Sequence, residues 1–98
     1  MSLTDYVTLG RTGLRVSPFC LGTMTFGDEW GAVGTSIEES LDVLSAYLDR
    51  GGNFLDTANA YTKGHSEKII GDYFLKHAAM RDRVVIATKF CGNMYPGD

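Results

Sequence analysis

Long apolar runs are missing from this 98-residue sequence. None approaches the ~20 residues a helix needs to cross a bilayer, so no membrane span is expected. The opening residues, MSLTDYV, lack a basic stretch followed by an apolar one, so no secretory signal is visible. A surplus of positive charge is also missing. Nine Lys and Arg stand against twelve Asp and Glu, a formal net charge of −3 with both signs interspersed. Without a basic stripe, nucleic acid is not an expected partner. Cysteine is scarce: Cys20 and Cys91 lie far apart, in no metal-ligand spacing. Both are read as reduced thiols in or near the core of a cytoplasmic protein, not as a disulfide or redox pair. Internal repeats and low-complexity segments are absent too.

What is present is ordinary for one small globular domain: 44% hydrophobic and 21% charged residues. Twelve glycines against two prolines fit a fold with many tight strand–helix turns. Residues 6–9 and 14–16 alternate around Gly10-Arg11-Thr12-Gly13, which reads as a β-hairpin. A dinucleotide loop would need G-x-G-x-x-G opening a helix, and only G-x-x-G is here. After Pro18, the run Phe19-Cys20-Leu21-Gly22-Thr23 suits a strand buried on both faces, as in a parallel sheet covered by helices. Gly22 near its end would let a ligand approach the backbone. In the loop at 24–34, Phe26 and Trp30 either line a substrate pocket or pack the loop onto the rim.

Thr35 or Ser36 caps a helix, because both Ser36-x-x-Glu39 and Thr35-x-x-Glu38 fit the capping box. Ile37, Leu41, Leu44 and Leu48 form its apolar stripe. Gly51-Gly52 ends it. Residues 53–56 make a second strand. A loop to His65 leads to a helix at about 66–78, with Ser66 as its cap and Ile69, Ile70, Tyr73, Phe74 and His77 as its packed stripe. His65 reads as a surface or loop group and His77 as an end-of-helix partner. Arg81-Asp82-Arg83 is a polar connection, and 84–89 is a third strand. The order β-α-β-α-β implies parallel strands with right-handed crossovers, hence an α/β fold.

The chemistry gathers at the ends of two of these strands. Asp56 closes the second, Tyr61 follows five residues later, and Lys89 closes the third. That is the end where α/β folds place active sites. Asp56 and Lys89, on adjacent strands at equal depth, can pair. Pairing alone would be a buried ion bridge with no catalytic meaning. Tyr61 suggests more. A phenol is a weak acid at neutral pH, and a nearby ammonium makes it easier to ionise. The trio then suits protonation of a carbonyl oxygen. Tyr61 as a loop-packing aromatic is the plainer alternative.

These pieces in this order resemble the N-terminal part of the aldo-keto reductases. The likeness rests on the opening hairpin, LGTMTFG (21–27), FLDTANAY (54–61), GHSEKIIGDYF (64–74) and VVIATKF (84–90). It implies the N-terminal part of a (β/α)8 TIM barrel. Residues 1–17 would be the hairpin closing the barrel bottom, and 18–98 the first three barrel strands with two helices. It implies NAD(P)H-dependent interconversion of aldehydes or ketones with alcohols, with NADP(H) ahead of NAD(H) although the discriminating residues belong to later strands. Catalytic roles carry over to Asp56, Tyr61 and Lys89: Tyr61 protonates the carbonyl oxygen, Lys89 assists it, and Asp56 holds Lys89. Gly22, Thr23, Met24 and Asp56 would lie beside the nicotinamide. No metal is implied. The family's histidine falls beyond residue 98, and His65 is not its counterpart.

A barrel of this kind takes about 250 residues, so the chain is expected to be a piece, with the remainder supplied by a further segment or chain or lost by truncation. The intact protein would then be an oxidoreductase acting on a small carbonyl compound, for which Met24, Phe26 and Trp30 hint at an apolar character. Two other readings stay open. One is a regulatory protein keeping the fold, as the β subunits of voltage-gated potassium channels resemble this family. The other is an inactive truncated fragment.

Overall fold

The computed structural model describes residues 1–29 and 31–90. The expectations for Trp30, for Cys91 and for the rest of the terminal loop lie outside the described residues. Strands β1 (Val7–Thr8) and β2 (Arg15–Val16) pair antiparallel as the hairpin. Strands β3 (Leu21–Gly22), β4 (Phe54–Asp56) and β5 (Val85–Ala87) form a parallel sheet in that order.

Helix α1 (Ile37–Asp49) connects β3 to β4. Of its two candidate caps, Ser36 takes the position: its Oγ accepts from the Glu39 amide at 3.1 Å, satisfying a donor the helix leaves free. The Thr35 amide is engaged elsewhere, donating to the Thr25 carbonyl at 2.7 Å. At the other end Gly51 adopts φ +87. Its amide donates to the Leu48 carbonyl and the Gly52 amide to the Tyr47 carbonyl, both at 3.0 Å. This is the Schellman arrangement that the glycine pair announced. Leu44 and Leu48 are buried, but Ile37 is exposed.

Helix α2 (His65–Lys76) departs from expectation at both ends. Its N-cap is Gly64 at φ +94, with no side-chain cap bond. Ser66 therefore falls inside the helix, fully buried, and its hydroxyl serves another purpose. At the C-terminal end His77 leaves helical geometry. Its ring stacks on Tyr73 at 4.2 Å between centroids, and its Nδ1 lies 3.0 Å from the Tyr73 carbonyl. His77 is thus exposed and terminal, not part of the buried stripe. A four-residue helix, α3 (Ala78–Arg81), then precedes β5.

The sheet has two unlike faces. Alternation along each strand sends Leu21, Leu55, Val84 and Ile86 toward the helices. There Leu55 is 0% exposed and packs with Leu44, Leu48, Ile69, Ile70 and Phe74. The opposite face carries Cys20, Gly22, Phe54, Asp56, Val85, Ala87 and Lys89, and none of these is buried. The expectation of a first strand buried on both faces, with Cys20 near the core, is corrected accordingly. Cys20 is exposed because the helices cover only one side of the sheet, and Phe19, which precedes β3, is 59% exposed.

The hairpin is fastened to the start of β4. Asn53 Oδ1 accepts from the Ser17 amide at 2.7 Å, its Nδ2 donates to the Arg15 carbonyl at 3.0 Å, and its amide donates to Ser17 Oγ at 3.1 Å. Tyr6 adds a bond from its hydroxyl to the Gly51 carbonyl at 2.7 Å.

Candidate active site

The parallel register sets Gly22 beside Asp56 and Asp56 beside Ala87. Lys89 is thus two residues past the level of Asp56, not at equal depth. Its long side chain makes up the difference. The ammonium donates to Asp56 Oδ1 and to the Thr57 carbonyl, both at 2.8 Å. The pair is not a buried ion bridge: the two side chains keep 48% and 43% of their accessible surface. A merely structural ion bridge would contribute little at such exposure.

Tyr61 opens a tight turn spanning Tyr61–Gly64, in which Thr62 and Lys63 leave right-handed helical geometry. The Lys89 ammonium stands 5.1 Å from the centre of its ring. The three residues singled out in the sequence therefore meet on the uncovered side of the sheet. Hydrogen bonding to Asp56 holds the Lys89 amine above its ordinary value. Loss of solvent opposes this, and Tyr61 adds to it. The lysine is therefore firmly cationic beside the phenol. Cys20 shares the neighbourhood. Partial shielding of its thiol, and then the Asp56 carboxylate, push it up, while Lys89 pulls it down.

The other expected site residues separate into two kinds. Gly22 is exposed, and a Cβ there would meet nothing within 4 Å. Met24 is 50% exposed. Thr23 is 0% exposed and turned inward. Its Oγ1 donates to the Asp56 carbonyl at 2.9 Å, and the Ser66 hydroxyl donates to the Thr23 carbonyl at 2.7 Å. Thr57 Oγ1 lies 3.1 Å from Ser66 Oγ. This knot of buried hydroxyls ties β3, β4 and α2 together behind the acid, and sequence reasoning missed it. The available signal was a serine at a position where helical spacing called for packing.

Phe26 is 4% exposed and belongs to the core cluster, which settles its role as packing and not as pocket lining. His65, expected as a surface or loop group, instead opens α2 and is half-buried; its Nδ1 lies 3.0 Å from the Thr62 carbonyl and 3.2 Å from Glu29 Oε1. A groove lined by Ile70, Phe74, Ile86 and Thr88 lies on the helix side of the sheet, away from the Asp56–Lys89 pair. Among the described residues there is no group of His, Cys, Asp and Glu that could hold a metal, and no helix long and apolar enough to cross a membrane.

Known proteins are similar to this chain in sequence and fold. An uncharacterised oxidoreductase of Bacillus subtilis is 45% identical over 89 residues, which is 87% of this chain and 26% of that protein. An aryl-alcohol dehydrogenase of Pestalotiopsis microspora is 43% identical over 79 residues, 79% of this chain and 20% of that protein. The solved structure of a Pseudomonas aeruginosa protein assigned as an aldo-keto reductase superposes with a TM-score of 0.76 at 36% identity, covering 99% of this chain and 35% of that one. The chain thus spans about a quarter or less of these curated relatives and about a third of that structure. Hairpin, parallel sheet and covering helices are the opening part of a (β/α)8 barrel, which the described residues do not close. The aldo/keto reductase family model matches residues 18–98, and the chain belongs to that family.

Proposed function

We propose that this chain carries the proton-donating part of an NAD(P)H-dependent carbonyl reductase site. The observation that carries this reading is the placement of one ammonium, Lys89, 2.8 Å from the Asp56 carboxylate and 5.1 Å from the Tyr61 ring centre. Tyr61 is the acid. As negative charge grows on a carbonyl oxygen, the phenol donates its proton, and the adjacent ammonium stabilises the oxygen left behind. Asp56 fixes the ammonium in place and keeps it charged.

The hydride comes from a bound nicotinamide dinucleotide, NADP(H) by family resemblance. The residues on the uncovered face fit such a group. Gly22 offers open backbone against which a flat ring can lie, and Met24 offers an exposed apolar flank. Thr23 acts through its backbone and through its grip on Asp56, its side chain being turned inward. Aromatic aldehydes and their alcohols are the first substrates to try, given the relative named for aryl alcohols and the exposed Met24. The remaining barrel strands supply the rest of the site, and the 98-residue stretch by itself turns over no substrate.

The test is Tyr61→Phe in the full-length protein, with reduced cofactor and an aromatic aldehyde. Turnover should fall by about a hundredfold or more, the scale of a lost general acid. Cofactor affinity should hold, since the phenol hydroxyl is spent on the carbonyl. Unchanged turnover would remove the assigned acid.

A further inference from the structure

Resting on that reading of Tyr61, we propose that Thr62 is a positioning residue that sets the Tyr61 phenol beside the Lys89 ammonium. Three consecutive residues after Tyr61 have positive φ: Thr62 at +46, Lys63 at +58 and Gly64 at +94. Glycine adopts this backbone freely. A β-branched threonine resists it, so its surroundings must hold it there.

The surroundings do so from three sides. Thr62 is 0% exposed. Its hydroxyl donates to the Phe26 carbonyl at 2.6 Å, a bond inside the core. Its own carbonyl lies 3.0 Å from His65 Nδ1, and that ring also faces Glu29 Oε1 at 3.2 Å. Gly27, at φ +108, backs against it so closely that a Cβ there would stand 3.1 Å from Thr62 Oγ1. The residue next to the acid is therefore bolted to the loop that follows β3.

The bolt bears on Tyr61 directly, because Thr62 Oγ1 also lies 2.8 Å from the Tyr61 carbonyl oxygen. The Tyr61 amide itself makes a long backbone bond, to the Ala58 carbonyl at 3.4 Å. With Thr62 in the left-handed region, the chain reverses directly after Tyr61 and the ring is directed at Lys89. A hydroxyl at position 62 is thus required for the geometry of its neighbour, and the threonine methyl is not.

The experiment compares Thr62→Gly, Thr62→Ser and Tyr61→Phe. Glycine accepts the left-handed backbone, so Thr62→Gly folds while losing the hydroxyl. Both readouts are taken on the full-length protein: the NMR contact between the Lys89 ε-methylene and the Tyr61 ring protons, and kcat, KM and cofactor affinity. Thr62→Gly should lose the contact and lower kcat by about tenfold or more, as misplacement of a reacting group does, with KM and cofactor affinity little changed. Thr62→Ser should restore both readouts. The proposal is overturned if Thr62→Gly keeps the contact and its kcat while Tyr61→Phe abolishes turnover. It is equally overturned if kcat falls with the contact intact, since the role is then structural. If Tyr61→Phe leaves turnover unchanged, the acid assignment fails first, and the positioning role goes with it.

Discussion

The Ser66 hydroxyl donates to the Thr23 carbonyl at 2.7 Å, across 43 residues of sequence. Both residues are 0% exposed. Thr23 in turn donates to the carbonyl of Asp56, so a helix side chain reaches the acid through two hydrogen bonds. Each of these donors has left water and has a protein acceptor in its place, the condition under which burying a hydroxyl is tolerable.

Ser66→Ala removes one hydroxyl and leaves the Thr23 carbonyl and Thr57 Oγ1 short of a partner inside the core. Stability should drop by about 1–3 kcal/mol, the cost of stranding buried polar groups. Urea unfolding measures it. A loss below about 0.5 kcal/mol would mean that the knot rearranges around the gap.

The Lys89 amine is held above its ordinary value of 10.5, chiefly by its hydrogen bond to Asp56. A group whose value rises on folding contributes stability that is complete below its unfolded value and is lost as pH climbs through the folded one. The contribution should therefore be flat through neutral pH and fade only above about pH 10. Titration of the Lys89 ε-carbon by NMR checks this. Asp56→Asn should move the midpoint down toward the ordinary lysine value, and a midpoint that stays put would remove Asp56 as the cause.

Cys20 is exposed, yet shielding and the Asp56 carboxylate push its thiol up from the ordinary value of 9.0. Only the thiolate reacts with alkylating reagents, so Cys20 should be labelled slowly at pH 8 despite its accessibility. Lys89 pulls the thiol the other way. Lys89→Met should slow labelling further, and Asp56→Asn should hasten it. Rates read by peptide mass mapping separate Cys20 from Cys91, and equal rates in all three proteins would refute the electrostatic link.

Much of the scaffold was legible because the signals are local. Ser36 before an apolar stripe, Gly51-Gly52 after it, and the short apolar runs ending on Asp56 and Lys89 each write their structure within a few residues. The pairing of Asp56 with Lys89 followed from strand order, whereas the placement of Tyr61 beside them rests on a turn tied to the loop after β3. What escaped was decided by partners far away in the chain. Ser66 looks like a cap until Gly64 takes that place and Thr23 arrives as acceptor. Thr62 carries no mark of a left-handed backbone, because Phe26 and Glu29 hold it there from another loop. Cys20 looked internal because apolar neighbours surround it in sequence, while the sheet turns it to the face the helices leave bare.

Asn53 stands three residues before Asp56, and its side chain and amide are knotted to Arg15 and Ser17 of the hairpin. The position of the hairpin and the height of the carboxylate are therefore one measurement. A strand so short has no slack, and any slippage of the hairpin along it would draw the acid away from its cation at the far end.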